Sequence, residues 1–393
     1  MSERRLLRKP SKRVTSSLPA PVSSVVPFHQ IMNRRTFVSG SILVGCALGG
    51  LFTGMTTAFA TRRIALPIAM APPATPPPQT LSAMLQQTFL FSGHQQMVRA
   101  VSWSPDGTTV ASGADDGLLL LWTPDGQVQQ QIPHPAGIAA LAWSPSGEQL
   151  ASGSENSVRF FDAQTATSLA PVRRVHTAQV TSLAWSDTLG NPLVSGSLDM
   201  QAIVWETQDY LPRNVFTRHT AAIDALSCQA GKTTVASASK GGAVRVWHVD
   251  TLTEVHGFYQ DAQLPMRTVA FAPIGNQLAV GGNDGQIRLW RDGLICQQSS
   301  LTVQGRLCVD VPLRLHAHTA PVRSVSWSPD GHSFATGGDD GTFAIWSYIQ
   351  GQVPALVTKT IYADPVVAVA WSPVRGQIAV GSGKTVTIWK VHI

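Results

Sequence analysis

Residues 318–346 read HTAPVRSVSWSPDGHSFATGGDDGTFAIW. The stretch divides into three short strands and two tight turns. Val322, Val325 and Trp327 mark the first strand, and Ser328, Pro329, Asp330 and Gly331 make the first turn. Pro329 presets φ for that turn and Gly331 tolerates a positive φ. The second strand covers 333–337, Asp339, Asp340 and Gly341 turn the chain again, and Phe343, Ile345 and Trp346 form the third. Runs this short and this apolar suit strands buried on both faces. A lone three-stranded sheet cannot bury its own faces, so the unit needs neighbours.

The neighbours lie in the same chain. The residue ending the first strand recurs as Trp103, Trp143, Trp185, Cys228, Phe271, Trp327 and Trp371, at spacings of 40–44 residues with one of 56. The end of the third strand recurs as Trp122, Phe161, Trp205, Trp247, Trp290, Trp346 and Trp389. Two independent markers return the same seven units and the same long gap.

On these residues the chain resembles the WD-repeat β-propeller family. That family's unit carries a Gly-His pair, Ser-Pro-Asp-Gly, Ala-Ser-Gly-Ser, an Asp and a closing Trp-Asp, with about 40–45 residues per four-stranded blade. The resemblance runs from about Gln86 to Trp389. It implies an all-β fold, a seven-bladed β-propeller over 86–393 closed by an N-terminal strand; a hydrophobic helix and a Pro-rich linker are expected ahead of it from the composition of the N-terminal residues. The seventh unit lacks its own outer strand after Trp389. Residues 86–91, ahead of Gly93 and His94, are expected to supply it and so remove the two edges an open array would leave.

Composition narrows the functional classes. Charged residues are 13% of the chain, against about 25% in typical soluble proteins, which argues against disorder and against a broad electrostatic face. The formal charge of +6 belongs to the N-terminus, where Arg4, Arg5, Arg8, Lys9, Lys12, Arg13, Arg34 and Arg35 face only Glu3. A nucleic-acid role for the propeller therefore loses its support.

The organisation reads as a basic tail (1–35), a signal or transmembrane segment (36–60), a Pro-rich linker (61–85) and the propeller (86–393). Residues 36–60 carry no charge, and 25 residues are long enough to span a bilayer at about 1.5 Å rise each. They follow Arg34-Arg35 and end in Ala58-Phe59-Ala60, a small-x-small cleavage pattern. The arginine pair resembles a bacterial twin-arginine export signal, and Leu43-Val44-Gly45-Cys46 resembles a lipobox. Three readings stay open: a cleaved signal peptide, an uncleaved anchor with the basic side retained in the cytoplasm, and a lipoprotein signal. All place the propeller outside the cytoplasm. A start at Met32 would suit the signal better than Met1. Pro72, Pro73, Pro76, Pro77 and Pro78 favour an extended, semi-rigid stalk.

Polar residues repeat at blade period. Units 1, 3 and 6 hold full sets: His94, Ser112, Asp116 and Trp122; His176, Ser195, Asp199 and Trp205; His318, Thr336, Asp340 and Trp346. A Ser-His-Asp hydrolase needs one exposed nucleophile beside an oxyanion hole, and no Gly-x-Ser-x-Gly elbow precedes these serines. The resemblance implies a structural chain instead, Asp to His to Ser or Thr to the Trp indole, whose full satisfaction makes strand register unique. Other units depart. Unit 2 has Glu155 and Asn156 in a shorter turn, unit 4 has Gly241 in place of Asp, unit 5 has Ala262 in place of His, and unit 7 has Tyr362 and Gly383. Blades 5 and 7 are expected to rely on packing more than on polar networks.

The long gap holds Cys296 and Cys308, which outside the cytoplasm would suit a disulfide. Cys228 replaces a core aromatic and reads as a buried thiol. His316 and His318 mimic a metal pair, but His318 belongs to its blade set. No cofactor or metal is expected. The reading is a non-enzymatic, monomeric scaffold that binds peptides or proteins on one rim. Asp115, Leu198, Lys240, Asn283 and Asp339, beside the structural residues, are the candidate contacts. A propeller enzyme with a central-channel site and a cytoplasmic interaction subunit are the alternatives.

Overall fold

The computed structural model describes residues 85–259, 264–290, 312–350 and 352–392. The basic tail, the 36–60 segment, the linker through residue 84, Ala262 and the Cys296–Cys308 pair lie outside the described residues.

Seven antiparallel sheets follow one another along the chain. They are blades 1 (98–133), 2 (138–162), 3 (180–216), 4 (223–259), 5 (266–316), 6 (322–361) and 7 (366–391). The innermost strand of each blade touches those of its two neighbours, and that of blade 7 touches that of blade 1, so the array is a closed ring. The core lies between blades. Ala111, Leu119, Leu121 and Ile132 of blade 1, for example, pack on Ile138, Leu141, Leu150 and Phe161 of blade 2.

Close approach of the blades explains the small residue in each second strand. A Cβ on Gly113 would meet Ile138 Cγ2 at 2.6 Å, and one on Gly337 would meet Val366 Cγ1 at 2.5 Å. The first residue of each following blade fills that place. Indole and hydroxyl groups then tie blade to blade. Trp327 Nε1 donates to Ala270 O at 3.1 Å, and Trp371 N donates to Ser326 Oγ at 2.9 Å.

The closing strand spans Leu85–Phe91 and pairs with Thr385–Val391 of blade 7, from Leu85 opposite Val391 to Phe91 opposite Val386. Trp103 Nε1 donates across the seam to Ala370 O at 3.0 Å. The sequence-based expectation of an outer strand supplied by residues 86–91 matches this pairing to within one residue.

Blade 2 differs from the other six in having three strands. After the third strand the chain returns with two isolated bridges, Val158 to Arg173 and Phe161 to Ser168. Leu169 N donates to Phe160 O and Arg173 N to Val158 O. Pro171 stands where the intervening donor belongs and has none to offer, so a continuous ladder cannot form.

Candidate functional site at the channel mouth

In the blades that carry the histidine, its loop and the second hairpin turn lie at the same end of the blade, where the first strand begins and the third starts. In blades 1, 3 and 6 these segments are joined by a buried relay. His94 Nδ1 lies 3.2 Å from Asp116 Oδ2, its Nε2 lies 2.8 Å from Ser112 Oγ, and Trp122 Nε1 donates to the same Oγ at 3.0 Å. In blade 3 the distances are 2.8 Å for His176 to Asp199, 2.8 Å for His176 to Ser195 and 2.8 Å for Trp205 to Ser195. In blade 6, His318 lies 3.0 Å from Asp340 and 2.8 Å from Thr336, whose hydroxyl accepts from Trp346 at 3.0 Å.

Burial holds all three imidazoles below the ordinary histidine range, against the opposing pull of their carboxylate partners. Burial alone would raise the Asp carboxyls. Backbone N–H donors and the imidazoles outweigh it and keep Asp116, Asp199 and Asp340 below their usual range. Ser112, Ser195 and Thr336 are fully buried, so no substrate reaches their hydroxyls.

The incomplete blades find other partners. His134 of blade 2 turns Nδ1 to its own Ile132 O at 3.1 Å. In blade 5 the fully buried Arg288 grips Asp284 at 2.7 and 3.1 Å. In blade 7, Trp389 Nε1 donates to Tyr362 Oη at 2.7 Å. Blades 5 and 7 thus carry substitute polar contacts in place of the relay, beside the packing expected to hold them. His316 is exposed on an outer strand while His318 is buried in its relay, so the two do not converge on a common point. Cys228 packs beside Trp247 and is partly buried, its thiol pushed up to about 12 by burial and by Asp187.

Inside the ring of relays lies a cavity of about 990 Å³ at the channel mouth. Asp115, Leu198 and Lys240 line it. Asn283 and Asp339 are bonded by two arginines that line it. Arg267 Nε donates to Asn283 Oδ1 at 3.1 Å, and Arg323 Nε to Asp339 Oδ1 at 2.6 Å. Asp115 is gripped by Arg99 at 2.7 and 2.9 Å. Asp224 takes Arg267 at 2.9 Å and Lys240 at 3.6 Å. The first-strand residues Arg99, Asp224, Arg267 and Arg323 are thus mouth residues that the rim reading missed. Each lies sixteen positions before its turn partner, a spacing that the repeat alignment already contains.

The charges are distributed unevenly. Ion pairs occupy blades 1, 4, 5 and 6, whereas blades 2 and 3 line the mouth with Ala136, Gly137, Ala139, Thr177, Ala178 and Leu198. Glu155 is the exception on that arc, exposed and held at φ 48°. Exposed arginine pairs contribute little to stability, about 0–1 kcal/mol. Their effect here is to fix side-chain direction around a neutral arc.

A closed ring of seven antiparallel sheets with a polar mouth defines a β-propeller of repeat units. The chain belongs to the family of the WD domain, G-beta repeat, whose model matches residues 85–123, 126–162, 169–206, 211–248, 255–291, 310–347 and 357–390. It is similar to meiotic fizzy-related protein 1 of Schizosaccharomyces pombe, 28% identical over 65% of this chain and 58% of that protein. It is also similar to eukaryotic translation initiation factor 3 subunit I of Culex quinquefasciatus, 24% identical over 64% of this chain and 80% of the relative. Protein transport protein sec13 of Aspergillus clavatus is 23% identical over 61% of this chain and 90% of that protein. These relatives are eukaryotic, and the similarity carries nothing of the export leader read from residues 34–60. Among the described residues no helix is long and apolar enough to cross a membrane.

Proposed function

We propose that this propeller is a non-enzymatic scaffold that docks polypeptide segments at the channel mouth, along the neutral arc of blades 2 and 3. The observation that carries the reading is the mouth itself: a concavity of about 990 Å³, at the upper end of the roughly 300–1,000 Å³ usual for ligand sites. Apart from Glu155, the charges of the mouth are paired with each other, so a peptide laid across blades 2 and 3 meets uncharged side chains and Leu198 without having to break an ion pair. Relatives whose names describe a subunit of an initiation factor and a transport protein are consistent with assembly rather than catalysis. The leader read at 34–60 supports placement outside the cytoplasm, secreted or anchored.

Two experiments test this. Peptides selected from a random display library on the full chain should lose at least about tenfold in affinity, roughly 1.4 kcal/mol, on Leu198→Glu. They should be unaffected by Ile274→Glu, at an exposed turn between first and second strands. Equal losses from both substitutions would refute docking at the mouth. Fractionation of a C-terminally tagged chain, with mass spectrometry of its N-terminus, separates cleaved, anchored and lipid-modified forms. A tagged chain recovered only from the cytoplasm with residues 34–60 intact would refute the export reading.

A further inference from the structure

Blade 4 keeps the donors of the relay but not the acceptor. In the three complete blades one carboxylate receives the imidazole, the amide of the residue after the histidine and an amide two residues beyond the Asp. Asp199 takes His176 Nδ1 at 2.8 Å, Thr177 N at 3.0 Å and Gln201 N at 3.0 Å. Asp340 takes His318 Nδ1 at 3.0 Å, Thr319 N at 2.9 Å and Thr342 N at 3.0 Å. The counterparts in blade 4 are His219, Thr220 and Ala243, with Gly241 where the Asp belongs.

His219 is 95% buried, being 5% exposed, and among the described residues its Nδ1 has no partner. No hydrogen bond of the Thr220 amide occurs among the described residues. The surroundings are cationic: Lys240 adjoins Gly241, Arg218 adjoins His219, and the buried Arg245 helps hold the His219 imidazole low, at about 4, after burial itself. Among the described residues the acids nearby are committed, Glu254 to Arg245 and Arg218, and Asp224 to Lys240 and Arg267.

We propose that blade 4 is a carboxylate-binding site, in which an external carboxylate accepts from His219 Nδ1, Thr220 N and Ala243 N as Asp199 does from its own blade. The ligand class is a small monocarboxylate group, either free or borne by an Asp or Glu side chain. Charge-assisted hydrogen bonds from several converging donors are the geometry that favours such a group. The site stands independently of docking at the mouth.

A second contact gives the site a spectroscopic signature. Ser237 Oγ lies 2.6 Å from His219 Nε2, accepts from Trp247 Nε1 at 3.2 Å, and faces Arg245 O at 3.3 Å, to which it can donate. Without a carboxylate, His219 can carry its proton on Nε2 while Ser237 donates to Arg245 O. With one, the proton belongs on Nδ1 and Ser237 donates to Nε2, as the acceptor arrangement of blades 1, 3 and 6 requires.

The test is nitrogen NMR of the histidine-labelled full chain, with His219→Gln to assign the signal. Sodium formate, titrated against sodium chloride at constant ionic strength, is expected to move His219 alone toward the Nδ1–H tautomer. The response should be saturable and in the roughly millimolar range. Blocked aspartate, N-acetylated and amidated, is the second probe. A response to it assigns the site to polypeptide side chains, whereas a response to formate alone assigns it to free carboxylates.

Gly241→Asp should abolish the formate response by supplying a tethered carboxylate. A Cβ there would lie 2.9 Å from Ala221 Cβ, so Gly241→Asp with Ala221→Gly is the companion variant that keeps the test open if the single change misfolds. No saturable change with either probe, an equal change with chloride, or an undiminished formate response in a folded Asp variant would overturn the proposal.

Discussion

Phe91 lies flat against Trp122, with ring centroids 4.1 Å apart and planes 4° from parallel. Phe91 ends the strand that completes blade 7, and Trp122 ends the third strand of blade 1. Phe216, at the end of blade 3's outer strand, stacks in the same way on Trp247 of blade 4, at 4.4 Å and 5°. The borrowed strand therefore packs onto the following blade just as an ordinary outer strand does, and the seam is built like any other junction.

The stability effect follows from that equivalence. Both phenylalanines are buried, and truncating a buried Phe to Ala costs about 3–5 kcal/mol. Phe91→Ala and Phe216→Ala should lower the urea midpoint by similar amounts. A negligible loss at Phe91 beside a full loss at Phe216 would mean that the ring does not depend on its N-terminal strand.

Acid should weaken the ring through two histidines without carboxylate partners. Burial holds His134 and His219 at about 4, below the ordinary value of 6.5. Their neutral forms fit the fold and their charged forms do not. The contribution is fully present above pH 6.5, shrinks as pH falls, and is lost below about pH 4, at most about 3 kcal/mol per residue. Urea unfolding at pH 7, 5.5 and 4.5 should show this decline. The double variant His134→Gln, His219→Gln should start less stable and fall less steeply, and parallel curves would contradict the assignment.

Blade 5 should be sensitive at Asp284. Its carboxylate faces Arg288, which is 1% exposed, and removing one partner of a buried pair costs on the order of 3 kcal/mol. Asp284→Asn should therefore destabilise much more than Asp115→Asn, whose arginine is half exposed. Hydrogen exchange should show the loss concentrated in blade 5. Equal small effects from both substitutions would favour the expectation that blade 5 relies on packing more than on its polar contacts.

The ring was legible in the sequence because every blade repeats the same burial problem. Trp at the strand ends, Gly or Ala in the second strand and Ser-Pro-Asp-Gly turns recur wherever neighbours pack at one distance. The relay residues were legible for the same reason. What escaped was whatever differs between blades. Arg288 gave no signal because a buried arginine on a third strand looks like an exposed one until its neighbour Asp284 is placed. The missing fourth strand of blade 2 turns on Pro171, a single residue inside an otherwise acceptable strand. The mouth arginines Arg99, Arg267 and Arg323 gave no signal of their own, because a first-strand arginine looks like any exposed one until the turn residue sixteen positions later is placed opposite it.

The docking reading is tested most directly by placing a photo-crosslinking residue at Leu198 on the mouth and, separately, at Ile361 on the exposed outer strand of blade 6, and illuminating the full chain with a display-selected peptide bound. The account predicts adducts from position 198 and none from position 361. Adducts from position 361 with none from position 198 would contradict it.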